Sequence, residues 1–126
     1  MKKTICVLED NQEILEIISI VLEEENYQVW GFGTVSEFLA GFEAHNPALC
    51  LLDVMLPDGN GIDVCNYIKG NINTRSIPVV IMTANSGIDK MKASCGADDL
   101  ISKPFDIDNL SCRINLLTSN NLAQGI

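Results

Sequence analysis

Four short, mainly apolar runs, each closed by a polar residue, constrain this chain more than any other feature. Glu9 and Asp10 follow Thr4-Ile5-Cys6-Val7-Leu8, and Asp53 follows Ala48-Leu49-Cys50-Leu51-Leu52. Thr83 follows Pro78-Val79-Val80-Ile81-Met82, and Lys103-Pro104 follows Leu100-Ile101-Ser102. Continuous apolar segments of this length read as strands buried on both faces, the condition of a parallel sheet. Such a sheet puts the carboxyl ends of its strands on one edge, where ligands bind. Glu9, Asp10, Asp53, Thr83 and Lys103, spread over most of the chain, are therefore expected to converge.

Between these runs the spacing becomes helical. Ile14, Leu15, Ile17, Ile18, Val21 and Leu22 give a first helix its apolar face and leave Glu13, Glu16 and Glu23 to Glu25 mostly outward. Tyr27 to Phe32 reads as a further strand, and Thr34-Val35-Ser36-Glu37 as a capping box opening a second helix. Gly61 to Lys69, Asn85 to Cys95 and Ile107 to Leu117 read as three more helices, followed by a polar tail from Thr118 to Ile126 that is expected to fray. Pro57-Asp58-Gly59-Asn60-Gly61 is turn chemistry, expected to shape the loop beside Asp53. Strand and helix alternate without a break, which implies βαβ units with right-handed crossovers and an α/β, doubly wound parallel sheet of five strands.

At 126 residues and 47% apolar, the chain can bury one core and has no room for a second domain of ordinary size. One domain over residues 1–120 and a short tail over 121–126 are expected. The net charge of −9 and the scatter of the eight basic residues argue against direct nucleic-acid binding, which needs clustered Lys and Arg. Five cysteines without a CxxC pair suggest neither a disulfide framework nor a zinc site, and Cys6 and Cys50 are expected to act as small apolar strand residues. No segment is long and apolar enough to span a membrane, and Met1-Lys2-Lys3 leads into a strand rather than a signal sequence, so a cytoplasmic protein without a membrane partner is expected. His45, the single histidine, is expected in a solvent-exposed loop, and Trp30 as a partly buried strand residue.

The chemistry of the expected convergence is narrow. Carboxylates about 4 Å apart repel by roughly 4 kcal/mol per pair at an effective dielectric near 20, so a cation or proton uptake must relieve them. An oxygen-only donor set favours a hard ion, and Mg²⁺ combines one or two carboxylates with waters and phosphate oxygens. Asp53 is the candidate nucleophile, since carboxylates form aspartyl-phosphate intermediates. Lys103 offers a positive charge, and the Thr83 hydroxyl a donor, to phosphoryl oxygens. Taken alone, Glu9-Asp10 would equally suit the first turn of a helix, and Lys103-Pro104 a plain strand exit.

The segments Val7-Leu8-Glu9-Asp10-Asn11, Leu52-Asp53-Val54-Met55-Leu56-Pro57-Asp58-Gly59-Asn60-Gly61, Ile77 to Ala84, and Gly96-Ala97-Asp98-Asp99-Leu100-Ile101-Ser102-Lys103-Pro104-Phe105 together resemble the receiver domain of two-component response regulators, from about Thr4 to Leu117. The resemblance implies a flavodoxin-like strand order 2-1-3-4-5, with Asp53 taking a phosphoryl group from a histidine kinase, a phosphotransfer protein or a small phosphodonor. It implies Mg²⁺ on Asp10, Asp53 and the Met55 backbone carbonyl, with Glu9 acting through water. Lys103 would pair with the phosphoryl group, Thr83 would move toward it, and the Lys103-Pro104 bond would be cis. Such a domain is not an enzyme acting on a separate substrate but a phosphoacceptor that supports its own phosphorylation and slow dephosphorylation. With almost the whole chain taken up by the receiver, no output domain is expected, and the signal would leave through protein binding at the face of the fourth helix, fifth strand and fifth helix.

Two residues depart from the family pattern. Glu9 stands where Asp is frequent, and Leu100 where strand five commonly carries Tyr or Phe. A flavin-binding carrier of the same fold would want a Ser/Thr/Gly-rich loop after the first strand, and an aspartate-nucleophile phosphatase an Asp-x-Asp pair there. Neither pattern is present in this sequence. A phosphorylation-independent adaptor that keeps the fold is the remaining alternative, against which the presence of all five pocket residues weighs.

Overall fold

The computed structural model describes residues 2–84 and 96–124, the last five as helical backbone only; the helix expected over Asn85–Cys95 lies outside the described residues. The elements are β1 (Lys3–Leu8), α1 (Gln12–Glu24), β2 (Tyr27–Phe32), α2 (Val35–Gly41), a 3₁₀ turn (Glu43–His45), β3 (Leu49–Asp53), β4 (Met55–Leu56), β5 (Gly59–Asn60), α3 (Gly61–Gly70), β6 (Val79–Thr83), β7 (Asp99–Ser102) and a C-terminal helix (Ile107–Gln124). Five strands form one sheet in the order β2-β1-β3-β6-β7, with every pair parallel. The expected order 2-1-3-4-5 is met, because β4 and β5 pair only with each other, as an antiparallel ribbon inserted after β3.

Alternation along the strands divides the interior in two, since successive side chains leave opposite faces. Cys6, Leu8, Cys50, Leu52, Val79 and Ile81 pack with Phe38 and Phe42 and with Val64, Cys65 and Ile68 of α3. Ile5, Val7, Leu49, Leu51, Val80 and Met82 pack on the other face with Ile18 and Leu22 of α1 and with Leu110 and Ile114 of the C-terminal helix. Both faces are covered, which explains why the strands read as unbroken apolar runs.

Local signals set where the helices begin. The Asn11 side-chain oxygen accepts from the Glu13 and Ile14 N–H groups at the start of α1, and the Thr34 hydroxyl accepts from the Glu37 N–H at the start of α2. Burial corrects the expected apolar face of α1: Ile17 is 48% exposed. The face that meets the sheet centres on Ile18 and Leu22, and Ile17 is turned off it by one helical step.

The C-terminal helix runs to Gln124 instead of ending at Leu117, so as far as Gln124 the expected fraying tail is helix. Thr118 continues the buried stripe of Leu110 and Ile114 at four-residue spacing. Its hydroxyl lies 3.0 Å from the Ile114 carbonyl and 3.0 Å from the Tyr27 hydroxyl, so a residue that reads as polar is accommodated inside.

His45 is not a solvent-exposed loop residue: it ends the 3₁₀ turn, half-buried, with its ring stacked on Trp30 at 4.0 Å. Cys6, Cys50 and Cys65 are buried and outside any disulfide, and burial pushes the Cys6 thiol up to about 12, away from the reactive thiolate. Among the described residues, no helix is long and apolar enough to cross a membrane.

Candidate functional site

Strand register builds the site as a staircase. Leu8 pairs with Leu52, so Glu9 and Asp53 stand at the same level one residue further on. Asp53 pairs with Met82, which puts Thr83 one step higher, and Thr83 pairs with Ser102, which puts Lys103 a step above that. Lys103 is thus the outermost of the set, and a long side chain is needed there to reach back to the carboxylates.

It does reach back. Lys103 Nζ lies 2.7 Å from Glu9 Oε1 and 3.3 Å from Asp53 Oδ1. The second Glu9 oxygen accepts from the Asn11 N–H at 3.1 Å, so both oxygens of a residue with no exposed surface have donors. The Glu9 backbone is held in turn, its N–H donating to the Phe32 carbonyl at 2.9 Å. Burial pushes the Glu9 carboxyl above the ordinary carboxylate range, with the Asp53 charge adding to the rise and the Lys103 and Asn11 hydrogen bonds opposing it. Asp53 is 8% and Thr83 2% exposed, whereas Asp10 is exposed.

Backbone contacts fix the strand ends. The Lys103 N–H donates to the Thr83 carbonyl at 2.8 Å, and the Val54 N–H to the Met82 carbonyl at 3.2 Å. The Lys103-Pro104 bond is cis. Behind Asp53, the Gly61 N–H donates to the Val54 carbonyl at 2.9 Å, and a Cβ at Gly61 would meet the Asp53 carbonyl oxygen at 2.1 Å. Only glycine permits so close an approach of the two backbones.

The structure therefore brings Glu9, Asp10, Asp53 and Lys103 into one group, with Thr83 on the strand between those of Asp53 and Lys103. Carboxylate oxygens of Glu9, Asp10 and Asp53 lie within 4.8 Å of one another. An all-oxygen set carrying three carboxylates against one ammonium suits a hard divalent cation. Met55 is in β4 and 79% exposed, so any contribution it makes to the site comes through its backbone. Leu100 lies one strand face below, 9% exposed in the core that Ile81 and Ala97 share.

Two features were not legible in the sequence. The first is the partner of Glu9: an acidic side chain after a strand reads as a ligand, yet here it anchors Lys103. The second is Asp58, part of an ordinary turn pattern, whose carboxylate accepts from the Val35 N–H at 2.8 Å and the Ser36 N–H at 3.0 Å. The Pro57-Asp58-Gly59 turn signal could have found the loop but not where its side chain ends.

A family model described as the response regulator receiver domain matches residues 5–115. The response regulator ArlR of Staphylococcus saprophyticus is 39% identical over 115 residues, which are 90% of this chain and 51% of that protein. The chain spans about half the length of the curated relatives it matches. Among solved structures, a CheY-like response regulator receiver domain protein from Methanospirillum hungatei superposes with a TM-score of 0.90 at 25% identity, covering 98% of this chain and 99% of that one. The receiver domain of the sensor histidine kinase PA1611 from Pseudomonas aeruginosa has a TM-score of 0.85 at 23% identity, covers 94% of this chain and 99% of its own, and carries a magnesium ion in its active-site cleft.

Proposed function

The chain belongs to the response regulator receiver domain family, and from that premise we propose that Asp53 is its phosphoacceptor and that phosphorylation switches its binding to another protein. The observation that carries this reading is the group formed by Asp53, the Lys103 ammonium at 3.3 Å and the neighbouring Glu9 and Asp10 carboxylates. An Asp53 oxygen attacks the phosphorus of the donor, the bond to the donor's nitrogen or oxygen breaks, and an acyl phosphate forms. Lys103 is already in the cleft to neutralise a phosphoryl oxygen, so little reorganisation is needed when charge arrives. Thr83, one level above Asp53 on β6, supplies a hydroxyl on the side from which the phosphoryl group enters.

Mg²⁺ fits the donor set of Glu9, Asp10 and Asp53: Asp10, Asp53 and the Met55 carbonyl would hold it, Glu9 would act through water, and it would supply positive charge for the phosphoryl oxygens. The domain is a reactant in its own modification rather than a catalyst with a separate substrate. Its phosphodonor is a histidine kinase, a phosphotransfer protein or a small phosphodonor. An apolar groove beside Lys103, lined by Ile14, Ile17, Ala84, Pro104, Phe105 and Ile107, supports docking of a protein donor there. Of the surface proposed for the downstream target, β7 and the C-terminal helix are described, and residues 85–95 lie outside the described residues.

Incubation with acetyl phosphate and Mg²⁺ is expected to raise the intact mass by one phosphoryl unit, and chelation to prevent it. The same gain in Asp53→Asn at the same rate would overturn the assignment. No gain in the wild type under any donor would leave the adaptor reading in its place.

A further inference from the structure

The loop that leaves Asp53 packs on the body through Val54 and Leu56, which meet the core, while the residues between and beyond them stand outward. Met55 is 79% exposed and Pro57 is exposed, so neither adds to that packing. Its internal ribbon consists of two residue pairs, Met55 with Asn60 and Leu56 with Gly59. A two-stranded ribbon is marginal on its own even when longer than this. Its base is closed by the Gly61 N–H on the Val54 carbonyl, but its tip is held by Asp58, whose carboxylate spans 23 residues to the Val35 N–H and 22 to the Ser36 N–H. Gly59 lies beside the same helix end, where a Cβ would stand 3.2 Å from Val35 Cγ2.

A cap is the ordinary reading of a carboxylate at a helix start, but α2 already has one. The Thr34 hydroxyl takes the Glu37 N–H, as the sequence pattern requires, so Asp58 is a second cap supplied from a distant loop. The two backbone bonds, Val35 first and Ser36 second, also hold the Asp58 carboxyl below its ordinary range.

We propose that Asp58 is a positioning residue for the metal side of the pocket: by capping α2 it holds the loop from Val54 to Asn60 in the arrangement in which the Met55 carbonyl can serve Mg²⁺. This rests on the reading of the pocket given above. If only the tied loop is competent, freeing it lowers the apparent affinity by the competent fraction. By reciprocity, Mg²⁺ must tighten the cap as much as the cap tightens Mg²⁺.

Titration calorimetry with Mg²⁺ on the whole chain tests this. Asp58→Ala is expected to weaken Mg²⁺ roughly fivefold, the ratio matching a lost cap bond, and Asp58→Asn, which keeps one acceptor, by less. Val35→Pro tests the tie from the other end, because proline fits the first helical position after the extended Thr34 but removes the N–H that Asp58 accepts. It too should weaken Mg²⁺. In the wild type, exchange of the Ser36 amide should slow when Mg²⁺ is added, and in Asp58→Ala it should not respond. Wild-type Mg²⁺ affinity in Asp58→Ala, even with a lower melting temperature, overturns the positioning role alone; if Asp58→Ala does not fold, the Asn and Pro variants decide by the same criterion. A wild type that binds no Mg²⁺ overturns both this role and the pocket reading beneath it.

Discussion

One residue of chain separates two layers of the sheet that are equally buried and opposite in energetic sign. Leu8, Leu52 and Met82 are fully buried apolar side chains, and Glu9, Asp53 and Thr83, each the next residue, are 0%, 8% and 2% exposed. Burial of the first layer is favourable at about 25 cal/mol per Å² of apolar surface removed from water. Burial of the second is unfavourable unless each charge finds a partner, and Lys103 is the cation that faces both Glu9 and Asp53. The lower layer makes the fold and the upper layer is made possible by it.

The largest effect expected from crossing that boundary comes from truncating the lower layer. Leu52→Ala should lower unfolding free energy by about 2 to 5 kcal/mol, through lost transfer energy and a cavity. Asp53→Asn, one residue on, should leave stability unchanged or raise it in metal-free buffer, since it removes one of three clustered negative charges. Urea unfolding of the two variants side by side measures the contrast, and equal losses would mean that the layers are not distinct.

Lys103→Met is expected to cost about 2 kcal/mol, below the roughly 3 to 5 kcal/mol of a fully buried pair, because the Lys103 side chain is 17% exposed. The loss should shrink as pH falls and Glu9 takes up a proton. A variant as stable as the wild type at pH 7 would show that Lys103 does not compensate the buried carboxylates.

The smallest effect is the pH dependence carried by Glu9. Its folded value stands above its ordinary 4.5, so the native state binds the proton more tightly than the unfolded chain. The contribution is favourable to the fold below about 4.5 and is lost as pH rises from there through the raised folded value. The wild type in chelator should therefore lose stability relative to Glu9→Gln across that window. Parallel stability curves for the two proteins would show that Glu9 is not the group concerned.

Much of this was legible in the residues. Run length and alternation are local, so the strands, their buried character and the positions of Glu9, Asp10, Asp53, Thr83 and Lys103 at their ends could be read before any coordinate. The cap at Thr34 was local in the same sense. Ile17 and His45 were misplaced because their exposure depends on which side of an element meets a neighbour, and periodicity places a face only to within a helical step.

The sequence by itself determined the order of the elements and the convergence of acidic and basic groups on one edge, because a parallel sheet with short crossovers allows no other edge for them. Tertiary structure alone decided that Glu9, rather than Asp53, holds Lys103 most closely, and that Asp58, though exposed, closes on α2. Each is a matter of a few tenths of an ångström to a few ångströms of side-chain reach between residues 94 or 23 positions apart. Spacing along a chain carries no information about which of two nearby acceptors a flexible ammonium will choose. That choice follows from strand register and from the extra methylene of Glu9, which become comparable only once the strands stand side by side.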